Sequence, residues 1–258
     1  MTPAPDPTQR FGTRADAYSK ARPGYPAELV SDLARDLSLP DDALVVDVGC
    51  GTGISSELFL RGGYRVIGVE PNEAMRAHLS ALVGGFPGFR AVDGRSEATT
   101  LPDASADLAI AAQAFHWFDV PATRKEFLRF LRRPARVALI WNDRLVEGSE
   151  FSQRYEELLL EFGTDYREIA HRHTVEDRIN AFFGHEHWRK RLHAHATPLD
   201  YETLAARLNS ASYVPAPGDV RHAPMMAGLR AIFDATQTGG MVSMEYETRV
   251  ISGEMAAQ

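Results

Sequence analysis

Val45-Val46-Asp47-Val48-Gly49-Cys50-Gly51-Thr52-Gly53, followed by Val66-Ile67-Gly68-Val69-Glu70, is the stretch on which the reading of this chain turns. An apolar, β-branched run ends in a glycine-rich turn. Helix-forming residues follow, and then a second apolar run ends in an acid, 23 positions after Asp47. Three glycines let the backbone turn sharply and approach a ligand where a Cβ would collide. An acid about 20 residues on, at the tip of the next parallel strand, is placed to accept hydrogen bonds from ribose hydroxyls. The pattern predicts a βαβ unit that binds an adenosine-containing cofactor.

The spacing narrows the choice of cofactor. Dinucleotide sites use G-x-G-x-x-G, whose turn and helix N-terminus hold a pyrophosphate. Here the glycines read G-x-G-x-G, and Ile54-Ser55-Ser56-Glu57 follow with no basic residue and no phosphate-binding lysine. The block D-V-G-C-G-T-G after an apolar strand resembles the first motif of class I S-adenosylmethionine-dependent methyltransferases. The first half of the chain is similar to their small-molecule branch, the methyltransferase type 11 and trans-aconitate-methyltransferase-like members. The resemblance covers Phe11 to Asn142 well and the remainder loosely. It implies a Rossmann-like, doubly wound sheet of seven mostly parallel strands, with an antiparallel last strand and a helical insertion after strand five. The implied cofactor is S-adenosyl-L-methionine, and the implied product is S-adenosyl-L-homocysteine.

Composition limits the partners. The 258 residues carry 28 Lys and Arg against 35 Asp and Glu, a net charge of −7, so no nucleic acid is expected as partner. No apolar run approaches the roughly 20 residues of a membrane span, and Met1 to Gln9 lack the apolar core of a signal segment. The single cysteine, Cys50, excludes an intramolecular disulfide and fits a reducing cytoplasm. Its position inside the glycine turn reads as a small packing residue. The expected partner is a small-molecule substrate, and the expected protein is a cytoplasmic monomer or homodimer.

Alternation of apolar runs and helical patterns divides the chain. Residues 1–40 read as an N-terminal helical cap segment, broken at Arg22-Pro23-Gly24-Tyr25-Pro26. Residues 41–142 read as the cofactor-binding core, with strands at Leu44–Val48, Arg65–Glu70, Phe89–Asp93, Ala106–Ala112 and Arg136–Asn142. Residues 143–258 read as the substrate-side helical insertion plus strands at His187–Thr197 and Met244–Ile251.

In a doubly wound sheet the ligand sits past the carboxyl ends of the strands. After strand one stand Asp47, Gly49, Gly51 and Gly53, where the resemblance places the methionine part of the cofactor. After strand two, Glu70 is expected to take the ribose hydroxyls. Pro71-Asn72-Glu73-Ala74-Met75 is similar to the family's D-x-S-x-x-M stretch, which implies Met75 on the adenine face. Asp93-Gly94-Arg95-Ser96-Glu97 resembles the adenine-reading loop, although many members carry Asp where Arg95 stands. That role therefore passes to Asp93 or Glu97, with Ser96 beside them. By resemblance to F-x-x-x-A-x-x-Y…R-P-x-Y-P, Tyr18 and Arg22 reach the cofactor carboxylate, where a guanidinium fork fits two oxygens.

After strand four, Gln113-Ala114-Phe115-His116-Trp117-Phe118 resembles the branch's A-x-H-W-F segment. Gln113 is implied beside the cofactor, and His116 and Trp117 beside the methyl group. His116 has a suitable intrinsic pKa for a general base, or serves structurally in shaping the pocket. Trp117, Trp141 and Tyr213 are expected to line the substrate pocket. The pairs His171/His173, His185/His187 and His193/His195 have no carboxylate cluster or cysteine pair joined to them in sequence, so no metal is expected. Two rival classes stay open: a non-catalytic cofactor-binding module, and a nicotinamide-dependent oxidoreductase against which the glycine spacing speaks.

Overall fold

The computed structural model describes residues 23–164, 166, 176–211 and 213–257. Seven strands form one sheet in the order β3-β2-β1-β4-β5-β7-β6. In chain order the elements are α1 (Glu28–Leu37), β1 (Leu44–Val48), α2 (Ile54–Arg61), β2 (Arg65–Val69), α3 (Glu73–Val83), β3 (Phe89–Val92) and β4 (Ala106–Ala112). There follow α4 (Val120–Phe130), β5 (Leu131–Arg144), α5 (Glu150–Phe162), α6 (Glu176–Phe183), β6 (Arg189–Leu199), α7 (Tyr201–Ser210), α8 (His222–Thr236) and β7 (Val242–Glu254). The first five strands pair in parallel, and β7 runs antiparallel between β5 and β6. This is the Rossmann-like sheet with an antiparallel last strand that the resemblance implies.

Alternation along the strands sorts the core into two layers. Val137, Leu139 and Trp141 of β5 face an aromatic layer made by Phe127 and Phe130 of α4 and Phe182 and Phe183 of α6. Ala138 and Ile140 face the other way, onto Leu29 and Leu33 of α1, Phe59 of α2 and Leu79 of α3. The acidic side of α1 meets the edge strand: Asp36 pairs with Arg189 at 3.0 Å and with Arg191. Those guanidiniums, Arg191 first, hold the Asp36 carboxyl below its ordinary pKa.

Past the carboxyl edge the sheet narrows to β5, β7 and β6, which extend as a ribbon to Arg144, Val242 and Leu199. Leu199, Val242, Met244 and Tyr246 of that ribbon join α5, α7 and α8 in a third core. The helical region is thus split by β6, with α5 and α6 before it and α7 and α8 after it. α5, α7 and α8 thus form a cap on the ribbon, while α6 packs with α4 on the sheet itself.

Candidate active site

The turn between β1 and α2 is built on positive φ at Gly49 (+72°), Gly51 (+55°) and Gly53 (+95°). The Gly49 and Cys50 amides donate to the Val69 carbonyl at 2.8 and 3.3 Å, which ties the turn to the end of β2. A Cβ at Gly49 would stand 2.8 Å from the Ala114 Cβ, and one at Gly53 would stand 2.5 Å from Leu79 Cδ1. At Gly51 a Cβ would meet nothing within 4 Å, so this side of the turn has room for a ligand. Ala114 cannot swing aside, and alanine tolerates such a φ poorly. Gly49→Ala is therefore expected to lower stability by about 2–4 kcal/mol, read as a fall in the urea midpoint.

Two acids underlie the turn. Glu70 is buried, and its Oε2 accepts from the Gly51 amide at 3.0 Å while Oε1 accepts from the Asn72 amide at 2.9 Å. Burial raises its pKa, against the pull of those two amides and of Arg76. A carboxylate offers about four lone-pair directions, so two remain for a ligand's hydroxyls. Asp47 is fully buried, and its Oδ2 accepts from the Ser55 and Ser56 hydroxyls at 2.6 and 2.7 Å. Its Oδ1 has no hydrogen-bond partner. Burial lifts the Asp47 carboxyl to about 6, the two hydroxyls restrain the rise, and the charge of Glu70 adds to it. Burial likewise pushes the Cys50 thiol up, which keeps it protonated and unreactive.

Arg76 joins the second and third strand ends. Its Nη1 donates to the Glu70 carbonyl at 2.7 Å, and its guanidinium meets Asp93 through two 3.2 Å bonds. Asp93 is exposed beyond that pair. Ser96 is buried, donating to Glu97 at 2.9 Å and accepting from Thr123 at 3.0 Å. Pro71 is half-buried, and Met75 is buried in the first turn of α3, where its amide caps onto Asn72 at 3.0 Å.

At the end of β4, Gln113 holds φ +54°, an uncommon conformation for a residue with a side chain. Its amide bonds the Ile140 carbonyl at 2.9 Å, and its Nε2 donates to the Asn142 carbonyl at 3.1 Å. Asn142 is a junction: Nδ2 donates to the Gly24 carbonyl at 3.1 Å, and Oδ1 accepts from Thr248 Oγ1 at 3.0 Å and lies 2.9 Å from His195 Nε2. His116 and Trp117 occupy a short 3₁₀ turn, their rings 4.8 Å apart, with Trp117 39% exposed. Trp141 departs from its expected place as a pocket wall. It is 1% exposed and stands edge-on to Phe115 at 6.1 Å, because odd-numbered residues of β5 face the aromatic layer. Tyr213 lies in the cap, 5.1 Å ring to ring from Tyr166.

The fold thus gathers Gly49, Gly51, Gly53, Asp47, Glu70 and, through Arg76, Asp93 around one turn. Gln113 belongs to the neighbouring strand end, and Tyr18 and Arg22 lie outside the described residues. Sequence reasoning missed Arg76, the Ser55–Ser56 pair and Asn142. Asn142 was within reach, since it stands at the predicted end of strand five, where ligands collect. Among the described residues no group of three His, Cys, Asp or Glu side chains is placed to hold a metal ion, and no helix is long and apolar enough to cross a membrane.

Residues 46–139, which hold the turn, both acids and the His116 segment, match the family model of the methyltransferase domain. Among relatives, the chain is 36% identical over 140 residues to an uncharacterized methyltransferase of Mycobacterium bovis, which covers 54% of either chain. It is 30% identical over 139 residues to an uncharacterized methyltransferase-like protein of Schizosaccharomyces pombe, covering 52% of either chain. The chain therefore spans about half the length of the curated relatives it matches. The seven-stranded sheet and the helices packed on it share their fold with a structure described as a type II methyltransferase from Anaeromyxobacter dehalogenans. That structure has TM-score 0.67 and 24% identity, over 92% of this chain and 99% of that one. A methyltransferase assigned to an antibiotic biosynthesis pathway of Anabaena variabilis has TM-score 0.59 at 19% identity, over 90% of this chain and 98% of that one.

Proposed function

We propose that the chain is an S-adenosylmethionine-dependent methyltransferase acting on a small molecule, with an oxygen or carbon acceptor. The observation that carries this reading is the Glu70 carboxylate at the tip of β2. It is held by the Gly51 and Asn72 amides, with lone pairs to spare for two ribose hydroxyls beside the open face of Gly51. Asp47 and the three glycines would hold the methionine portion, and Pro71, Met75, Asp93, Ser96 and Glu97 the adenosine portion. When bound, the cofactor supplies an electrophilic methyl group on a sulfonium centre. The protein's own contribution is alignment and exclusion of water. Gln113, tied to Asn142, would lie beside the cofactor. His116, on the turn that follows β4, would either remove a proton from the acceptor or shape the pocket, and Trp117 and Tyr213 would border the acceptor.

The test is a thermal-shift titration with S-adenosylhomocysteine, with NAD and ATP run alongside. A ligand at about 100 times its dissociation constant stabilises by roughly 2.7 kcal/mol, a readable rise in melting temperature. A shift with S-adenosylhomocysteine alone is the expected result. A shift with NAD, or none with S-adenosylhomocysteine, overturns the reading.

A further inference from the structure

Asn142 stands where the parallel sheet gives way to the ribbon, and four other segments of the chain meet on it. Its Nδ2 donates to the Gly24 carbonyl at 3.1 Å, ahead of α1. Its backbone carbonyl accepts from Gln113 Nε2 at 3.1 Å, at the end of β4. Its Oδ1 accepts from Thr248 Oγ1 of β7 at 3.0 Å and lies 2.9 Å from His195 Nε2 of β6. The Gly24 carbonyl can only accept, so the amide nitrogen is the atom that faces it, and Oδ1 is turned to β7 and β6. His195 must therefore carry its hydrogen on Nε2. Its ring is stacked on Tyr246, with centroids 5.3 Å apart at 19°. Burial lowers the His195 pKa, Glu28 in the first turn of α1 pulls against it, and His193 adds to it, so the ring is neutral at neutral pH. Thr248 is fully buried, which leaves its hydroxyl no water to turn to.

The residue that this junction holds is Gln113. A φ of +54° is costly for a residue with a side chain and persists only where the surroundings over-determine it. Two bonds to β5 do so, from the Gln113 amide to the Ile140 carbonyl and from its Nε2 to the Asn142 carbonyl. The next residue, Ala114, stands against the glycine turn, its Cβ 2.8 Å from where a Cβ on Gly49 would lie. A shift of the Asn142 carbonyl is thus passed through Gln113 and Ala114 to the wall of that turn. Resting on the proposed function above, we propose that Asn142 is a positioning residue of the cofactor site: pinned by Thr248 and His195, it fixes Gln113 and holds Ala114 against the glycine turn. The same side chain ties the entry to α1 and the edge strand to that point, so the ribbon that carries the cap and the turn that holds the cofactor share one anchor.

The experiment measures S-adenosylhomocysteine affinity by calorimetry, together with the melting temperature and the amide hydrogen exchange of Gln113 in the ligand-free protein. Asn142→Ala is expected to weaken binding about tenfold, the effect of roughly one net hydrogen bond, and to speed exchange at Gln113. Should Asn142→Ala fail to fold, Thr248→Val removes one donor to Oδ1 and keeps the shape of the side chain. It is expected to weaken binding in the same direction, and Thr248→Ser, which keeps the hydroxyl, to restore it. Nitrogen NMR of the wild type should find the His195 hydrogen on Nε2. Unchanged affinity and unchanged Gln113 exchange in the variant that folds overturn the positioning role. So does a lowered melting temperature with unchanged affinity, the signature of an asparagine that serves stability alone. Equal losses of affinity in Thr248→Val and Thr248→Ser, or a wild-type His195 with its hydrogen on Nδ1, overturn it as well. Absence of S-adenosylhomocysteine binding by the wild type instead overturns the proposed function beneath it.

Discussion

Asp47→Asn is expected to make the ligand-free protein more stable at pH 7.5, by up to about 3 kcal/mol. A carboxyl whose pKa climbs from 3.8 to about 6 on folding is one the fold prefers protonated. At about 1.4 kcal/mol per pKa unit, ionisation in the folded state costs on the order of 3 kcal/mol. The sign follows from the direction of the shift. Below the unfolded value of 3.8 both states are protonated and the cost is absent. It grows as pH rises from there to about 6 and is constant above. Asparagine has the same shape, and its amide oxygen can accept from Ser55 and Ser56 as Oδ2 does, while its Nδ2 donors take the place of the unpartnered Oδ1 and hold the gain below that ceiling. For a chain of this size the gain corresponds to a rise of roughly 5–10 °C in melting temperature, shrinking to nothing near pH 4. Melting curves at pH 4 and 7.5 decide it: a loss of stability at pH 7.5, or an equal gain at both, refutes the account.

Glu70→Ala is expected to weaken S-adenosylhomocysteine binding 100-fold or more. Hydrogen bonds to a charged group contribute about 1.5–3 kcal/mol each. Two to the ribose, lost together, amount to at least two decades of affinity. The same substitution frees the Gly51 amide, which Glu70 holds at 3.0 Å, and loosens the link to Asn72 at the start of α3. The loss should therefore come with faster hydrogen exchange at Gly51 and Asn72. Glu70→Gln, which keeps one acceptor oxygen, should recover part of the affinity. Undiminished binding in Glu70→Ala would mean that this carboxylate serves the turn alone.

The sheet and the glycine turn were legible because their physics is local. β-branched runs of five residues and glycines at fixed offsets mean much the same in any surroundings. Boundaries shifted where a proline interrupts the pattern. Strand five was expected from Arg136, yet β5 begins at Leu131, with Pro134 accommodated where the β4–β5 register slips between Ala106 and Leu108. In α8, which begins at His222, Pro224 falls in the first turn, where no amide bond is needed. The side-chain environments were less legible. Nothing in the spacing of Asp47 shows that its carboxylate is held by the hydroxyls of Ser55 and Ser56. Nothing in the Trp141 position says that its strand turns that face toward Phe115 and away from the ligand edge. Both depend on packing between elements distant in sequence, as does the junction at Asn142, which collects residues from positions 24, 113, 195 and 248.

The order of the last two strands also bears on how the chain is made. β6 pairs with β7 alone, through eleven consecutive positions from Arg189 to Leu199. On the ribosome β6 emerges well before β7, so during synthesis a long strand waits with both edges open. Such edges invite pairing between neighbouring nascent chains. Arg189, Lys190 and Arg191 at one end and Pro198 at the other are the residue types that discourage it. Until β7 inserts, β5 has only β4 beside it and α1 has no seated strand to clamp with Asp36. Closure of the sheet thus waits on β7, which follows β6, α7 and α8 in the chain.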